Sequence, residues 1–441
     1  FNKQIQSALW PDSLKYLSFG SAFNHPIQSV LWPVALKRLS FGSSFNQQID
    51  MVVWPALLQS LTFGSSFNQS IELATWPATL EHLVFGESFN QPIQRSSRYR
   101  IVLSLPVGGV EWPASLQSLT FGSGFNQPIL GVVWPASLQR LDFGSRFNQP
   151  INKVVWPASL QSLMLGSTFD HPVEGIVWPS SLRQLRVGAS FDRPIQGLTV
   201  WPDSLLYLTF GPSFDQPIRG IVLPAVVQSI TFGNCFNQPV DGVTWPTSLK
   251  RLTFGAHFNH PCQGVVWPDS LEILAFGKRF NRRVEWLKWP VSLKCLTFGS
   301  TFNQPIQTVV WPASLQLNDP LWPPSLLYVT FGSAFNEPIC NVVWPAKLRS
   351  MSFGVRFNQP VDEVVWPSSL KCLTFGNDFN HPVSQTEWPT SLEQLKFGYS
   401  FNQPINDVVW PHALKELVLG SSFNQSIEYV HWPDSLERLT L

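Results

Sequence analysis

The sequence predicts a mainly β protein, a β-solenoid of about 19 coils in which each coil is one copy of a 22-residue repeat. A Phe-Asn or Phe-Asp pair recurs 19 times, nearly always 22 residues apart. All 34 Phe stand at two fixed places in the repeat, and 19 of the 20 Trp stand directly before Pro. The recurring Pro and Gly leave no room for helices of ordinary length, so the coils must be built from strands and turns.

Each copy divides into strands and turns. A regular copy, FNQPILGVVWPASLQRLDFG, runs from Phe125 to Gly144, and positions in every copy are counted from this Phe as position 1. Positions 14 to 19, here Leu138 to Phe143, alternate apolar and polar residues over their second half and predict the main strand. Positions 8 to 10, usually Val-Val-Trp, favour a second, shorter strand. Gly at position 20 ends the main strand, and we expect it to adopt a positive φ.

The apolar positions predict a core made of columns. The Phe residues of positions 1 and 19, the Leu residues of 14 and 17, Ile at 5, the residue at 8 and Trp at 10 can all point inward. Stacked coils would turn these residues into continuous apolar columns, which is how a thin coil buries a core. The Asn of position 2 stands at a turn, where we expect its side chain to hydrogen-bond backbone groups that the sheet leaves unpaired.

The repeat resembles a known family. Its motif, LxxLxFGxxFNQPI, is similar to the FNIP repeat, and the family's motif residues fall on Phe23, Asn24 and Pro26 and on their counterparts in later copies. The resemblance extends over essentially the whole chain. It implies a leucine-rich-repeat-like β-solenoid that serves in interactions.

The period also predicts the domain organisation. We expect residues 1–441 to form one solenoid, with an inserted loop at 95–108 and a half-unit irregularity at 311–323. Both terminal copies keep the ordinary apolar residues and show no polar cap. Because an open coil exposes core side chains and a strand edge, we expect the chain to be a piece of a longer one or its ends to be covered by a partner. The isolated chain should then self-associate end to end or fray at both termini.

Composition excludes several classes of function. Charged residues make up 13% of the chain and the net charge is +1, so we expect no nucleic acid as partner. Pro or Gly interrupts every repeat, so we expect no membrane span. The five Cys follow no pattern and predict free thiols in a reducing compartment, hence an intracellular, cytoplasmic protein.

No residues with catalytic spacing stand out. The eight His are scattered, and His257 and His260 lack a third ligand nearby, so we expect no metal. The glycines are isolated turn residues rather than a phosphate-binding loop, so we expect no cofactor. The sequence therefore predicts a protein that is not an enzyme.

The strand surface carries the first candidate for partner binding. Positions 16 and 18 should project outward on either side of the inward Leu of position 17. Position 16 varies widely and includes Tyr and Arg, which are favoured anchors at protein interfaces. The candidates at this position are Tyr16, Arg38, His82, Arg140, Tyr207, Arg251, Tyr328 and Arg438. The same variation would arise by drift on a surface that binds nothing.

A second candidate is local. Arg279, Arg282 and Arg283 crowd one copy together with Trp286, the one Trp that does not precede Pro. An exposed Trp among Arg side chains suggests contact with a partner or a peptide. The alternative is a degenerate copy that a long array tolerates.

The sequence thus predicts a non-catalytic protein–protein interaction scaffold, without naming the partner. A structural spacer or surface protein is the first alternative, because a long array can serve only to set a distance. Position 18 is Thr in nine copies, which raises an ice- or carbohydrate-binding surface as a further alternative.

Overall fold

The computed structural model describes residues 1–94, 109–196, 201–284, 287–306 and 322–441. The fold is mainly β, a leucine-rich-repeat-like solenoid of about 19 coils, and every strand in these ranges is three residues long. The inserted loop predicted at 95–108 lies outside the described residues, as does most of the irregular stretch at 311–323. Contacts divide the chain into two compact units, Phe1–Gln216 and Pro217–Leu441.

The first unit contains nine strands, each paired in parallel with the next. These strands are β1 (Tyr16–Ser18), β2 (Arg38–Ser40), β3 (Ser60–Thr62), β4 (His82–Val84), β5 (Ser118–Thr120), β6 (Arg140–Asp142), β7 (Ser162–Met164), β8 (Gln184–Arg186) and β9 (Tyr207–Thr209).

The second unit contains ten strands, which again pair in parallel in chain order. These strands are β10 (Ser229–Thr231), β11 (Arg251–Thr253), β12 (Ile273–Ala275), β13 (Cys295–Thr297), β14 (Tyr328–Thr330), β15 (Ser350–Ser352), β16 (Cys372–Thr374), β17 (Gln394–Lys396), β18 (Glu416–Val418) and β19 (Arg438–Thr440). In both units the register places equal repeat positions side by side, as in the pairing of Leu17 with Leu39.

The strand occupies positions 16 to 18, which is shorter than the predicted 14 to 19. Hydrogen bonds between coils nevertheless continue on both sides of it. The amides of Lys37 and Arg38 both donate to the Lys15 carbonyl, at 2.9 and 3.0 Å, and the Phe19 amide donates to the Ser40 carbonyl at 2.9 Å. The predicted stretch is therefore a hydrogen-bonded ladder with a regular strand only at its centre.

The second strand predicted at positions 8 to 10 is wrong for the described coils, none of which has a strand there. Local turns enclose this segment instead. In the first coil the Ala8 amide donates to the Ile5 carbonyl at 3.1 Å, and the Leu14 amide donates to the Pro11 carbonyl at 3.0 Å. Pro at position 11 also has no amide hydrogen to give to a ladder.

The core consists of the predicted columns. In the coil that begins at Phe125, the side chains of Phe125, Ile129, Leu138 and Leu141 are fully buried, and Phe143 is buried with them. Phe rings stack within a coil and between coils, with ring centres 4.2 Å apart for Phe143 and Phe147. This burial confirms the inward positions read from the sequence.

The Trp of position 10 closes the core at the back of each coil. Trp156 is 8% exposed, and its ring meets the ring of Phe143 edge to face at 6.3 Å. Its indole Nε1 is buried and has no nitrogen or oxygen partner. The same holds for most of the described Trp column, so these indoles act through apolar and ring contacts rather than through hydrogen bonds.

The Gly residues of position 20 allow successive coils to pack closely. Contrary to the expectation from sequence, a positive φ is not their common feature. Among the described Gly residues at this position, Gly144 has a positive φ of 70°. A Cβ on Gly64 would overlap the Gly42 carbonyl of the preceding coil, and the same clash recurs along both units. Positive φ values occur instead at position 7, including 61° at Met51 and 68° at Tyr429.

The Asn of position 2 forms a ladder of its own, as predicted. The Asn68 amide donates to Asn46 Oδ1 at 2.9 Å, and the side-chain Nε2 of Gln69 donates to the same oxygen at 3.0 Å. Asp can replace Asn here, since the Asp192 amide donates to Asp170 Oδ1 at 3.1 Å. The side chain thus supplies an acceptor to the next coil where the strands have already ended.

We expect Asn46→Ala to destabilise the first unit by about 1–3 kcal/mol, because it leaves the half-buried Asn68 amide without its acceptor. Urea denaturation followed by circular dichroism measures the change. Asn46→Asp is the matched control and should cost much less, because it keeps an acceptor oxygen. Equal losses for both variants would contradict this role of the ladder.

Candidate interaction surface

The strands present one exposed face in each unit. In β6, Leu141 is fully buried, whereas Arg140 is exposed and Asp142 is half-buried. The same alternation runs through the interior strands of both units except β7, where Ser162 is buried, so positions 16 and 18 otherwise point outward as predicted. We call the exposed side chains of positions 15, 16 and 18 the ladder face.

The ladder face of the first unit contains a hollow of about 300 Å³. His82, Arg140 and Tyr207, three of the residues singled out from sequence, line it together. The remaining lining residues are Gln117, Ser118, Gln139, Gln161, Ser162, Arg183 and Gln184. The hollow spans strands β4 to β9.

Small side chains between large ones create the hollow. The register places Ser118 beside Arg140, and Arg140 beside Ser162. Ser162 is only 8% exposed, and its hydroxyl lies 3.4 Å from Gln184 Oε1. A short residue on each side of Arg140 leaves space above the sheet, which the longer neighbours enclose.

The hollow is lined by positive side chains, and at one end the Glu81 carboxylate lies 4.0 Å from His82 Nε2. Arg140 and Arg183 line it, and no carboxylate does. Within the part of the chain that the structure describes, neither guanidinium has an ion-pair partner. The nearby Asp142 uses its Oδ1 to accept a hydrogen bond from the Gly144 amide at 3.0 Å. Two arginines are therefore available to an anionic group.

Position 15 contributes residues that the sequence analysis did not select. Gln117, Gln139 and Gln161 occupy this position in three successive coils and all line the hollow. Arg183 continues the column in the next coil. A run of amides at one repeat position was visible in the sequence, but strict alternation about the inward residue of position 17 puts position 15 on the inward side, so it was not assigned to the exposed face.

Tyr16 and Arg38 contact each other at the first two strands. The Arg38 guanidinium carbon lies 5.6 Å from the centre of the Tyr16 ring, within the range of a cation–π contact. Both side chains are exposed. They form a separate part of the ladder face, because neither lines the hollow.

On the second unit, Arg251 and Tyr328 are exposed on the ladder face, while Arg438 is engaged with a carboxylate. Arg438 lies 3.7 Å from the carboxylate of Glu416, and Lys396 lies 3.0 Å from the same group. Ion pairs between successive coils thus balance charge on this part of the face.

Glu393 is the clearest example of an ion pair between successive coils. Its carboxylate lies 2.6 Å from Lys371 Nζ in the preceding coil and 3.5 Å from Lys415 Nζ in the next. The hydrogen bond from Lys371, followed by the positive charges of both lysines, lowers the pKa of Glu393. The pairing therefore persists above the ordinary Glu pKa and is lost as the pH falls through the lowered value.

The predicted basic patch lies on a different surface. Arg279, Arg282 and Arg283 are exposed, but they stand at positions 22, 3 and 4, beside the Asn ladder rather than on the strand face. The Nε of Arg282 donates to the Asn259 carbonyl at 2.7 Å, as Gln of position 3 does elsewhere. Arg282 thus substitutes for a ladder residue. Trp286 lies outside the described residues.

An exposed apolar column at position 9 was also not identified from the sequence. Val155 is 82% exposed although its neighbours Val154 and Trp156 are buried. Val or Leu is similarly exposed at this position in eleven described coils, namely at Leu9, Leu31, Val53, Val133, Val155, Val177, Val222, Val266, Val343, Val365 and Val409. The signal was the Val-Val pair before Trp, in which one Val must face outward.

Other sites of chemistry are few. Across the described ranges, no three His, Cys, Asp or Glu side chains are grouped so that they could hold a metal ion. All five cysteines are free, and burial raises the pKa of the Cys262 thiol to about 12. In the same ranges no helix is long and apolar enough to cross a membrane.

Comparison with known proteins identifies the repeat. The FNIP Repeat family profile matches most of the chain, at residues 23–66, 67–97, 111–146, 125–168, 147–190, 191–235, 236–279, 335–378, 357–400, 379–417 and 401–441. No curated protein matches the chain at a significant level.

Two solved structures are similar over nearly the whole chain. The crystal structure of CroV588, described as a circular LRR protein, is 40% identical with a TM-score of 0.85, and the match covers 100% of this chain and 61% of that one. The TLR13–ssRNA13 complex is 17% identical with a TM-score of 0.63, covering 98% of this chain and 64% of that one. The chain therefore spans less than two thirds of each of these proteins, and the second likeness shows the fold alone.

Proposed function

Because the chain belongs to the FNIP-repeat family and is a leucine-rich-repeat-like solenoid, we propose that it is a non-catalytic scaffold whose ladder face binds a protein partner. The supporting observation is the contrast between positions 16 and 17. Position 17 is a buried Leu in nearly every interior coil, whereas position 16 changes from coil to coil and is exposed or half-buried in every described coil but that of Ser162. A constant frame thus presents a variable surface rich in Tyr and Arg, the side chains that most often anchor protein interfaces.

Substitutions on the face test this function against the alternative of a spacer. We expect the double variant Arg251→Glu, Tyr328→Ser to lose a partner that the tagged wild-type chain captures from its own cells, as quantified by mass spectrometry. Both residues are exposed, so the fold should be unchanged. Val365→Ser, at the 79% exposed position 9 of the same unit, is the matched control and should keep the partner.

If the protein is only a spacer, the opposite result is expected. If every captured protein is retained by the face variant, or is lost equally from the Val365→Ser control, the ladder face is not the binding surface. Direct titration of the purified partner against the same three proteins then separates a loss of affinity from a loss of expression.

The proposal includes a reducing, intracellular compartment. Five free cysteines at four different repeat positions support it, because an oxidising compartment would favour their pairing or modification.

A further inference from the structure

We propose that the hollow on the first unit binds an acidic, extended peptide segment of the partner, with Arg140 and Arg183 receiving its carboxylates. This inference rests on the proposed function and specifies the ligand of one part of the ladder face. It is carried by three features of the hollow, which are its charge, its shape and the chemistry of its lining.

The charge favours an anion. Two guanidinium groups line the hollow without a carboxylate among the lining residues and without an ion pair in the described structure. Elsewhere on the ladder face, carboxylates pair with lysine or arginine, as Glu272 does with Lys294 at 2.9 Å. The hollow is therefore a place where positive charge is left for an external group. A guanidinium fork matches a carboxylate in a planar, two-bond geometry.

The spacing favours an extended chain. Arg140 and Arg183 belong to coils two apart, so their backbones are separated by about 10 Å along the ladder. Side chains on one side of an extended peptide recur about every 7 Å, and the length of the Arg side chains covers the difference. One peptide can therefore offer carboxylates to both guanidinium groups at once.

The lining favours a peptide over other anions. Gln117, Gln139 and Gln161 offer amides that both donate and accept, which suits a peptide backbone. His82 and Tyr207 stand at the two ends and add ring nitrogen and hydroxyl groups to the lining. A nucleic acid would rely on many phosphate contacts, and two arginines supply few.

Fluorescence anisotropy with designed peptides tests the inference on the full chain. The probe is a labelled dodecapeptide of alternating Glu and Ser, and its neutral match replaces every Glu by Gln. We expect the Glu peptide to bind, the Gln peptide to bind at least about tenfold more weakly, and added salt to weaken the first more than the second.

Substitutions then locate the site. The double variant Arg140→Gln, Arg183→Gln should bind the Glu peptide at least about tenfold more weakly. Arg146→Gln removes an exposed arginine of the same unit at position 22, outside the ladder face, and should bind the peptide as the wild type does. Ser118→Trp, which fills the hollow without changing its charge, should also abolish binding. Circular dichroism checks that each variant is folded.

Several results would overturn the inference. They are equal binding of the Glu and Gln peptides, full binding by the double variant, and preferred binding of a single-stranded RNA of equal charge. None of these results bears on the Arg251→Glu, Tyr328→Ser experiment, which does not touch the hollow. If the partner still depends on Arg251 and Tyr328, the scaffold function stands and only the acidic peptide is excluded.

Discussion

Replacing Trp156 by Ala should destabilise the first unit by about 3–5 kcal/mol. The indole is 8% exposed and packs edge to face on Phe143 at 6.3 Å, so its removal leaves a cavity at the back of the coil. No hydrogen bond from the indole N–H is lost, because Nε1 has no acceptor. The loss of unfolding free energy therefore measures packing alone.

Val155 provides the control one residue away. It is 82% exposed, so Val155→Ala should change stability by less than about 0.5 kcal/mol. Urea denaturation measures both variants. Hydrogen exchange of coils β6 to β8 then shows whether the damage remains local, as expected where each coil contacts only its neighbours. A loss below about 1 kcal/mol for Trp156→Ala would be incompatible with a structural Trp column.

The second large effect is expected from Gly64→Ala, at about 3 kcal/mol. A single methyl group at this site would overlap the Gly42 carbonyl and lie 2.9 Å from the Cα of Ser43. These are backbone atoms, so no side-chain rotation can relieve the clash. The coils would have to separate locally, which would also lengthen the hydrogen bond between the Phe41 amide and the Thr62 carbonyl, now 2.9 Å.

Gly20 is the matched control, because it occupies the same repeat position and nothing lies within 4 Å of its added Cβ. In the 441-residue chain, Gly20→Ala should be nearly neutral, within about 0.5 kcal/mol. Thermal unfolding of the two variants gives the comparison. Similar melting temperatures for both would mean that the coils are not packed as closely as the structure has them.

The core of the fold was predictable because it rests on repetition. Phe143, Leu141 and Trp156 each belong to a column that the 22-residue period makes unmistakable, and all three are buried. The Asn ladder was predictable for a physical reason, because a short polar side chain at a turn can hydrogen-bond backbone groups that the sheet leaves unpaired. Asn46 Oδ1 accepts such a hydrogen bond from the Asn68 amide at 2.9 Å.

Features that depend on the distance between coils were not predictable. The role of Gly64 follows from the approach of the Gly42 carbonyl, and a single repeat cannot reveal that approach. The missing strand at positions 8 to 10 has a similar cause, because turns anchored by Ile5 and Pro11 prevail over the β propensity of the Val residues.

The hollow was predictable only in part. His82, Arg140 and Tyr207 were found from the variation of position 16, but the three Gln residues of position 15 were not. Their grouping depends on the small Ser118 and Ser162 between larger neighbours, which is a property of several coils taken together.

The hydrogen bond from the Asn68 amide to Asn46 Oδ1 has a consequence for how such a chain can change in length. Within each unit, each coil that is followed by another offers an Asn or Asp side-chain oxygen to the backbone amide of that next coil, so the junction between two coils does not depend on which copies meet there. Duplication or loss of a 22-residue unit in the gene would rejoin matching halves and leave every junction intact. Extra residues between two ladder positions also leave the junction in place, since the Asn126 amide donates to Asn90 Oδ1 at 2.8 Å although 36 residues separate the two. Copy number can therefore change while the stacking of each coil is preserved.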